Sequence, residues 1–369
     1  MRARSSHFRS LTAKHHLGMT QPRYDANELL TFARTLLERV GLEADKARVV
    51  AEVLLEGDLL GHTTHGLHLL APYLSDIEKG GMTPSGEPRV LSDLPAAVTW
   101  DGQRLPGPWL VVKAIELALA RARDYGTCTV AIRRCHHIAS LAAFLTRATD
   151  QGMVMLLMSS DPEATGVAPH GGKRGVYTPN PIAAGFPTDD QPVLIDVSAS
   201  ITTHGMTARL YKEGGRLPGP WLIDADGNPT DDPSVMFNEP KGALLPLGGI
   251  DVGHKGYALG LLVEALTGGL AGHGRADPKE GWTANVFVQI LDPRAFGGVQ
   301  DFVRQTGWLA QACRETPPRA GFERVRMPGE NGLARRADQL AHGVQLYESI
   351  LPALKPWGEK LGVALPQAL

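Results

Sequence analysis

The spacing of apolar residues changes twice along this chain, and that limits the folds open to it. From Asp25 to about residue 80 the apolar positions recur at helical intervals. Asp25-Ala-Asn-Glu28 has a capping-box pattern, an N-cap oxygen followed three residues on by a carboxylate. Leu29, Leu30, Phe32, Leu36, Leu37 and Val40 then line one face until Gly41 stops the run. Further helices are predicted over 44–60 and 68–79. From about Val90 strand-like runs alternate with helices: helices over 108–125 and 138–150, strands over 127–132, 153–158, 192–197 and 284–291. The apolar run 257–272 reads as a buried core helix, 300–316 as a helix, and 337–361 as amphipathic helix interrupted at Pro352 and Pro356.

This order predicts helical segments at both ends folding together beside a central α/β part. The expected divisions are 22–85 and 300–369 for the helical domain and 86–299 for the α/β domain. Residues 1–21 carry Arg2, Arg4, Arg9 and Lys14, and no acidic residue precedes Asp25; they read as a disordered extension, with Met19 as the initiator. The heptapeptide Arg104–Leu110 recurs as Arg216–Leu222, which reads as shared turn chemistry, Pro-Gly before a packing Trp.

Several classes of function are disfavoured. A net charge of -2 gives no reason to expect a nucleic acid or an anionic membrane as partner. No apolar run reaches the ~18 residues of a membrane span. Cys128, Cys135 and Cys313 show no CxxC spacing, which argues against a disulfide framework or a cysteine metal site and fits a reducing, cytoplasmic setting. No GxGxxG follows a predicted strand, and there is neither a P-loop nor a GxSxG elbow.

Three histidine clusters remain. Gly61-His-Thr-Thr-His-Gly66 joins two predicted helices, so a histidine there is held yet reachable, and imidazole titrates near neutrality. Cys135-His136-His137 lies where a strand meets a helix, a common place for binding groups in α/β proteins. No HExxH or helical i, i+4 histidine pair accompanies it, so no metal is expected. Gly253-His254-Lys255-Gly256 opens a helix, where backbone N–H groups and a cation suit a phosphate or carboxylate. Pro169–Gly172, Asn180–Ala183, Asp196–Ser200 and Met327–Glu330 are loops through which backbone can approach a ligand.

Taken together, the segments Asp58–Gly66, Cys135–His137, Asn180–Ala183, Asp196–Ser200, Leu244–Gly249, Gly253–Tyr257 and Pro328–Glu330 resemble, in order, the malate/L-lactate dehydrogenase family that is distinct from the Rossmann lactate and malate dehydrogenases. That family also includes sulfolactate, ureidoglycolate and diketogulonate dehydrogenases and cyclic imino acid reductases. The resemblance implies a non-Rossmann, mixed-sheet α/β cofactor-binding domain packed with a helical domain, NAD or NADP as cofactor, and a homodimer acting on a small 2-oxo or 2-hydroxy acid. It implies His65 and His137 as proton donors or acceptors, and Thr64 and Asn180 near substrate. It implies Asp196, Val197, Ser198, His254, Lys255, Gly329 and Glu330 near the cofactor. A cyclic imino acid reductase and a non-catalytic cofactor-binding descendant are the alternatives. This chain departs from the family pattern at four places. Thr64 replaces a serine and Cys135-His136 a Ser-Asn pair, while Leu69 and Met206 stand where basic residues are common.

Overall fold

The computed structural model describes residues 22–369, so the expected extension 1–21 lies outside the described residues. The chain opens with a two-residue strand β1 (Arg23–Tyr24) and three helices, α1 (Ala26–Arg39), α2 (Ala44–Leu60) and α3 (Leu70–Glu78). Asp25 caps α1 as its spacing predicts, its side chain accepting from the N–H groups of Asn27 (2.8 Å) and Glu28 (3.0 Å). Strands β2 (Arg89–Leu94) and β3 (Ala97–Asp101) follow, then α4 (Gly107–Tyr125), β4 (Thr127–His136), α5 (Ala142–Thr149), β5 (Val154–Ser160), β6 (Pro181–Phe186) and β7 (Val193–Ser198). Next come α6 (His204–Lys212), the short strands β8 (Leu222–Ile223), β9 (Pro229–Thr230) and β10 (Ala243–Leu244), and α7 (Gly249–Val252). The chain ends with α8 (His254–Glu264), β11 (Thr283–Leu291), α9 (Val299–Glu315), α10 (Glu330–His342), β12 (Val344–Gln345) and α11 (Ile350–Leu361).

Seven strands form the main sheet in the order β2-β3-β4-β11-β5-β6-β7. Only β3 and β4 run parallel; every other neighbouring pair is antiparallel. A doubly wound dinucleotide fold needs a parallel sheet with its nucleotide at a switch point, so the mixed sheet explains why no GxGxxG was found. Side chains alternate along β5 and β11. Met155, Leu157, Val286, Val288 and Ile290 join the large core that includes α4 and α5, while Met158 and Phe287 pack with Val263 of α8 on the opposite face. The ends of the chain meet, as expected: β1 pairs with β12, and Leu29, Phe32, Ile350 and Leu354 share that large core. Helix α9 packs on the α/β part, with Thr306 donating to Pro187 O at 2.9 Å.

Two readings from periodicity are corrected. The run 257–272 is not a buried core helix. After α8 the chain passes through a π-turn at Ala265–Gly269, and Leu259 (37%), Leu261 (47%), Leu262 (47%) and Leu270 (54%) are exposed. Apolar content alone does not say which residues a fold buries. The break in 337–361 falls between α10 and α11, not at the prolines. Pro352 sits in the first turn of α11, where its missing N–H costs nothing, and Pro356 lies inside the helix. The repeated heptapeptide takes two structures: at 104–110 it starts α4, and at 216–222 it leads into β8.

Candidate functional site

Gly61 ends α2 in a left-handed conformation (φ +91°) and turns the chain back on itself. The His62–Gly66 loop then lies against the last turn of α2. A β-carbon on Gly57 would sit 2.9 Å from His65 O, and one on Gly66 would sit 2.4 Å from Asp58 Oδ2. Asp58 is buried and accepts from Leu67 N–H at 2.6 Å. Burial pushes its carboxyl up to about 7, against the opposing pull of that N–H and of Arg209. Thr64 Oγ1 lies 2.8 Å from His65 Nδ1.

The second cluster is set by irregular backbone. The β4–β11 register slips between Ala284 and Val286, beside Arg134 at φ +52°. Such bulges re-aim side chains. β4 is longer than the sequence suggests and carries its own pairing as far as His136. The N-terminus of α4 presses on the following turn so tightly that a β-carbon on Gly107 would meet His136 O at 2.2 Å.

These two segments bring His65 and His137 together, with ring centroids 5.9 Å apart and planes at 28°. Burial takes His65 down to about 4, helped by His62, His68 and Arg209. Burial, then His65 and His136, holds His137 well below the usual imidazole range. Both rings are therefore neutral near pH 7. Tyr73, fully buried on α3, has its hydroxyl 2.8 Å from His137 Nδ1 and 3.1 Å from His137 O. Ala139 N–H also points to His137 Nδ1 at 3.3 Å. With an amide donor aimed at Nδ1, the imidazole proton belongs on Nε2. Trp282 packs against His137 at 4.9 Å between centroids, the planes tilted by 32°.

His136 points elsewhere. It is buried, with Nε2 2.7 Å from Asp76 Oδ2. Burial lowers its pKa, opposed by Asp76, while the hydrogen bond to His136 lowers that of Asp76. This is a neutral imidazole donating to a carboxylate. Asn180 (φ +45°) is also fully engaged. Its Nδ2 donates to Gly260 O (3.0 Å) and Glu264 Oε1 (2.9 Å), and its Oδ1 accepts from Thr178 (2.9 Å).

A cleft of about 440 Å³ opens beside the histidine loop, bounded by Leu60, His62, Ala142, Leu194 to Val197 and Arg326 to Gly329. Asp196, Val197 and Gly329 thus share one cavity, with Ser198 next along β7. Asp196 accepts from Ala142 N–H at 2.8 Å, across the start of α5; burial raises its pKa, and His62 opposes that rise. Gly329 begins α10 at φ +88°, and a β-carbon there would sit 2.7 Å from Leu194 Cβ. Glu330 accepts from Met327 N–H at 3.1 Å and pairs with Arg324 and Arg314. His254 and Lys255 are exposed at the start of α8. They lie close to the end of β7, since a β-carbon on Gly256 would meet Ala199 O at 2.7 Å. Among the described residues no group of three or more His, Cys, Asp or Glu side chains is arranged to hold a metal.

Sequence reasoning did not single out Tyr73, Trp282, Asp58 or Arg209. Tyr73 and Trp282 reach His137 from distant segments and carry no local signal. Asp58 belongs to the quoted Asp58–Gly66 run, yet only the folded loop shows its carboxylate under Gly66.

Comparison with known proteins agrees with this architecture. The sequence profile of the malate/L-lactate dehydrogenase family matches residues 24–355. An L-lactate dehydrogenase of Cupriavidus necator is 33% identical over 343 residues, covering 91% of this chain and 97% of that protein. The solved structure of Entamoeba histolytica malate dehydrogenase superposes with a TM-score of 0.89 at 23% identity, covering 94% of this chain and 100% of that one. The Δ1-piperideine-2-carboxylate reductase of Pseudomonas syringae superposes with a TM-score of 0.80 at 30% identity, covering 92% and 100%. The chain belongs to the malate/L-lactate dehydrogenase family.

Proposed function

We propose that this family member is an NAD(P)-dependent dehydrogenase interconverting a small 2-oxo acid and its 2-hydroxy acid, with His65 as general acid and base. The observation that carries the reading is the meeting of His65 and His137, from separate segments, with ring centroids 5.9 Å apart, while His62 of the same loop lines the 440 Å³ cleft.

The cleft suits a nicotinamide dinucleotide: it runs along Leu194 to Val197 of β7, the edge strand of the main sheet, and reaches the helix start at Gly329, whose backbone N–H groups suit a phosphate. Asp196, Val197, Ser198 and Gly329 would hold the cofactor along β7 and α10, with His254 and Lys255 at the end of β7. Glu330, tied to Met327 N–H and its arginines, would shape the loop around it. When bound, the cofactor supplies or accepts the hydride.

The two histidines divide the remaining work. His137 presents Nε2–H, because Nδ1 faces the Tyr73 hydroxyl and Ala139 N–H. It donates a hydrogen bond to the substrate oxygen and polarises the C–O bond. His65 is less restricted. The Thr64 hydroxyl can donate to Nδ1 or accept from it, so Nε2 serves either as acid or as base. In oxidation the neutral ring takes the hydroxyl proton, and in reduction the protonated ring returns it. Positioned proton transfer of this kind contributes ~10²–10⁴-fold. Asn180, engaged by Thr178, Gly260 and Glu264, supports the substrate side by fixing the start of β6.

A homodimer fits the exposed leucines of α8, which a second copy would cover. No helix among the described residues is long and apolar enough to cross a membrane; the proposed setting is the cytoplasm.

The similarity to the piperideine-carboxylate reductase favours a second reading, reduction of a cyclic C=N bond by the same histidines. Consumption of NADH and of NADPH by the purified protein, with pyruvate, oxaloacetate and Δ1-piperideine-2-carboxylate, separates the two. Turnover with a 2-oxo acid is expected. Turnover with the cyclic imine alone replaces the proposal with the second reading, and consumption with none overturns both.

A further inference from the structure

We propose that Arg209 anchors the carboxylate of the substrate beside His65. The inference rests on the dehydrogenase reading above and adds to it the group that recognises the acid.

Arg209 lies on α6, whose first turn touches the histidine loop: a β-carbon on Gly205 would sit 3.5 Å from Thr64 Cβ. Its guanidinium donates to Thr63 Oγ1 (3.1 Å) and Thr63 O (3.2 Å), two residues before His65. The guanidinium carbon sits 3.7 Å from the centre of the Tyr347 ring, so the plane of the fork is fixed from one side. A guanidinium has five N–H donors, and the two spent on Thr63 leave the remainder for a ligand. Among the described residues no carboxylate pairs with Arg209: the neighbouring Glu213 is taken by the Tyr347 hydroxyl. Of the groups whose charge acts on His65, Arg209 is the one permanent cation. The side chain is half-buried, so water reaches it and its charge is not sealed away.

An oriented guanidinium with no carboxylate at ion-pair distance among the described residues, Asp58 acting on it only from farther off, matches a planar carboxylate by two parallel hydrogen bonds. In a 2-oxo or 2-hydroxy acid the carboxylate adjoins the reacting carbon. An anchor beside His65 therefore sets that carbon's oxygen at the histidines. Leu69, buried and apolar at the start of α3, offers no such contact, and neither does Met206, an uncharged neighbour on α6.

The test compares the parent with Arg209→Gln and Arg209→Lys by calorimetric binding of oxamate to the NADH-loaded protein, and by turnover of pyruvate against methyl pyruvate. The parent should bind oxamate. Arg209→Gln should weaken that binding about 10–100-fold, raise KM for pyruvate more than it lowers kcat, and leave methyl pyruvate and NADH binding nearly unchanged. Arg209→Lys, keeping charge without the fork, should fall between. Equal losses for pyruvate and its ester would show that Arg209 only staples the loop, and unchanged oxamate affinity would equally overturn the proposal. If the parent turns over no acid, the dehydrogenase reading fails, while oxamate binding still decides whether Arg209 is a carboxylate site.

Discussion

Tyr73→Phe tests the assignment of roles to the two histidines. The phenyl ring keeps the packing of Tyr73 against His136 (5.2 Å between centroids) and Trp282 (5.7 Å), so only the hydroxyl is lost. That hydroxyl has one proton to give, shared between His137 Nδ1 at 2.8 Å and His137 O at 3.1 Å. Removing one partner of a buried hydrogen bond costs about 1–3 kcal/mol. Nδ1 keeps the Ala139 N–H at 3.3 Å, which puts the loss near the lower end, about 1 kcal/mol. In a chain of this length that lowers Tm by about 1 °C. The effect on turnover should be larger than so small a destabilisation would suggest. Without the hydroxyl, the ring of His137 is held by one long hydrogen bond, and its Nε2–H no longer has a fixed direction. A loss of about 1.4 kcal/mol in transition-state stabilisation is tenfold in rate, so kcat should fall about tenfold with KM for the cofactor unchanged. Steady-state cofactor consumption and thermal denaturation of both proteins give the two numbers. If Tm falls by the expected amount while kcat stays within twofold of the parent, the direction of His137 Nε2–H does not matter to the reaction, and the division of labour proposed here is wrong.

The remaining predictions concern pH and assembly. Because burial holds His65 at about 4 in the free protein, the protonated form needed for reduction declines tenfold per unit above that value. Reductive kcat/KM should therefore rise steadily as pH falls from 8 to 5, while the oxidative value stays flat over the same range; a reductive plateau below pH 6.5 would mean an unperturbed histidine donates the proton. Leu261→Asp, on the exposed face of α8, should convert a dimer to monomers in sedimentation at micromolar concentration, and a parent that sediments as a monomer would remove the homodimer from the proposal.

Much of the fold was legible because it follows from local rules. The Asp25 cap, the helix ends at Leu60 and Tyr125 and the alternating strands each depend on residues within a few positions of one another. Where the reading went wrong, the cause was not local. The leucines of α8 have the composition of a core, but nothing among the described residues covers them, and composition alone does not say which apolar residues a fold buries. The candidate site shows the same division more sharply. His65 and His137 stood out because short runs of histidine beside glycine or a strand end are unusual. Their surroundings did not, because Tyr73, Trp282 and Arg209 reach the histidines from α3, the bend before β11 and α6, as ordinary residues in ordinary segments. Those three decide what the histidines can do. Tyr73 holds the ring of His137 through its hydroxyl, Trp282 packs against that ring, and Arg209 supplies the charge next to its partner. A motif therefore points to the chemistry, while protonation state and substrate recognition belong to contacts that exist only after the chain has folded.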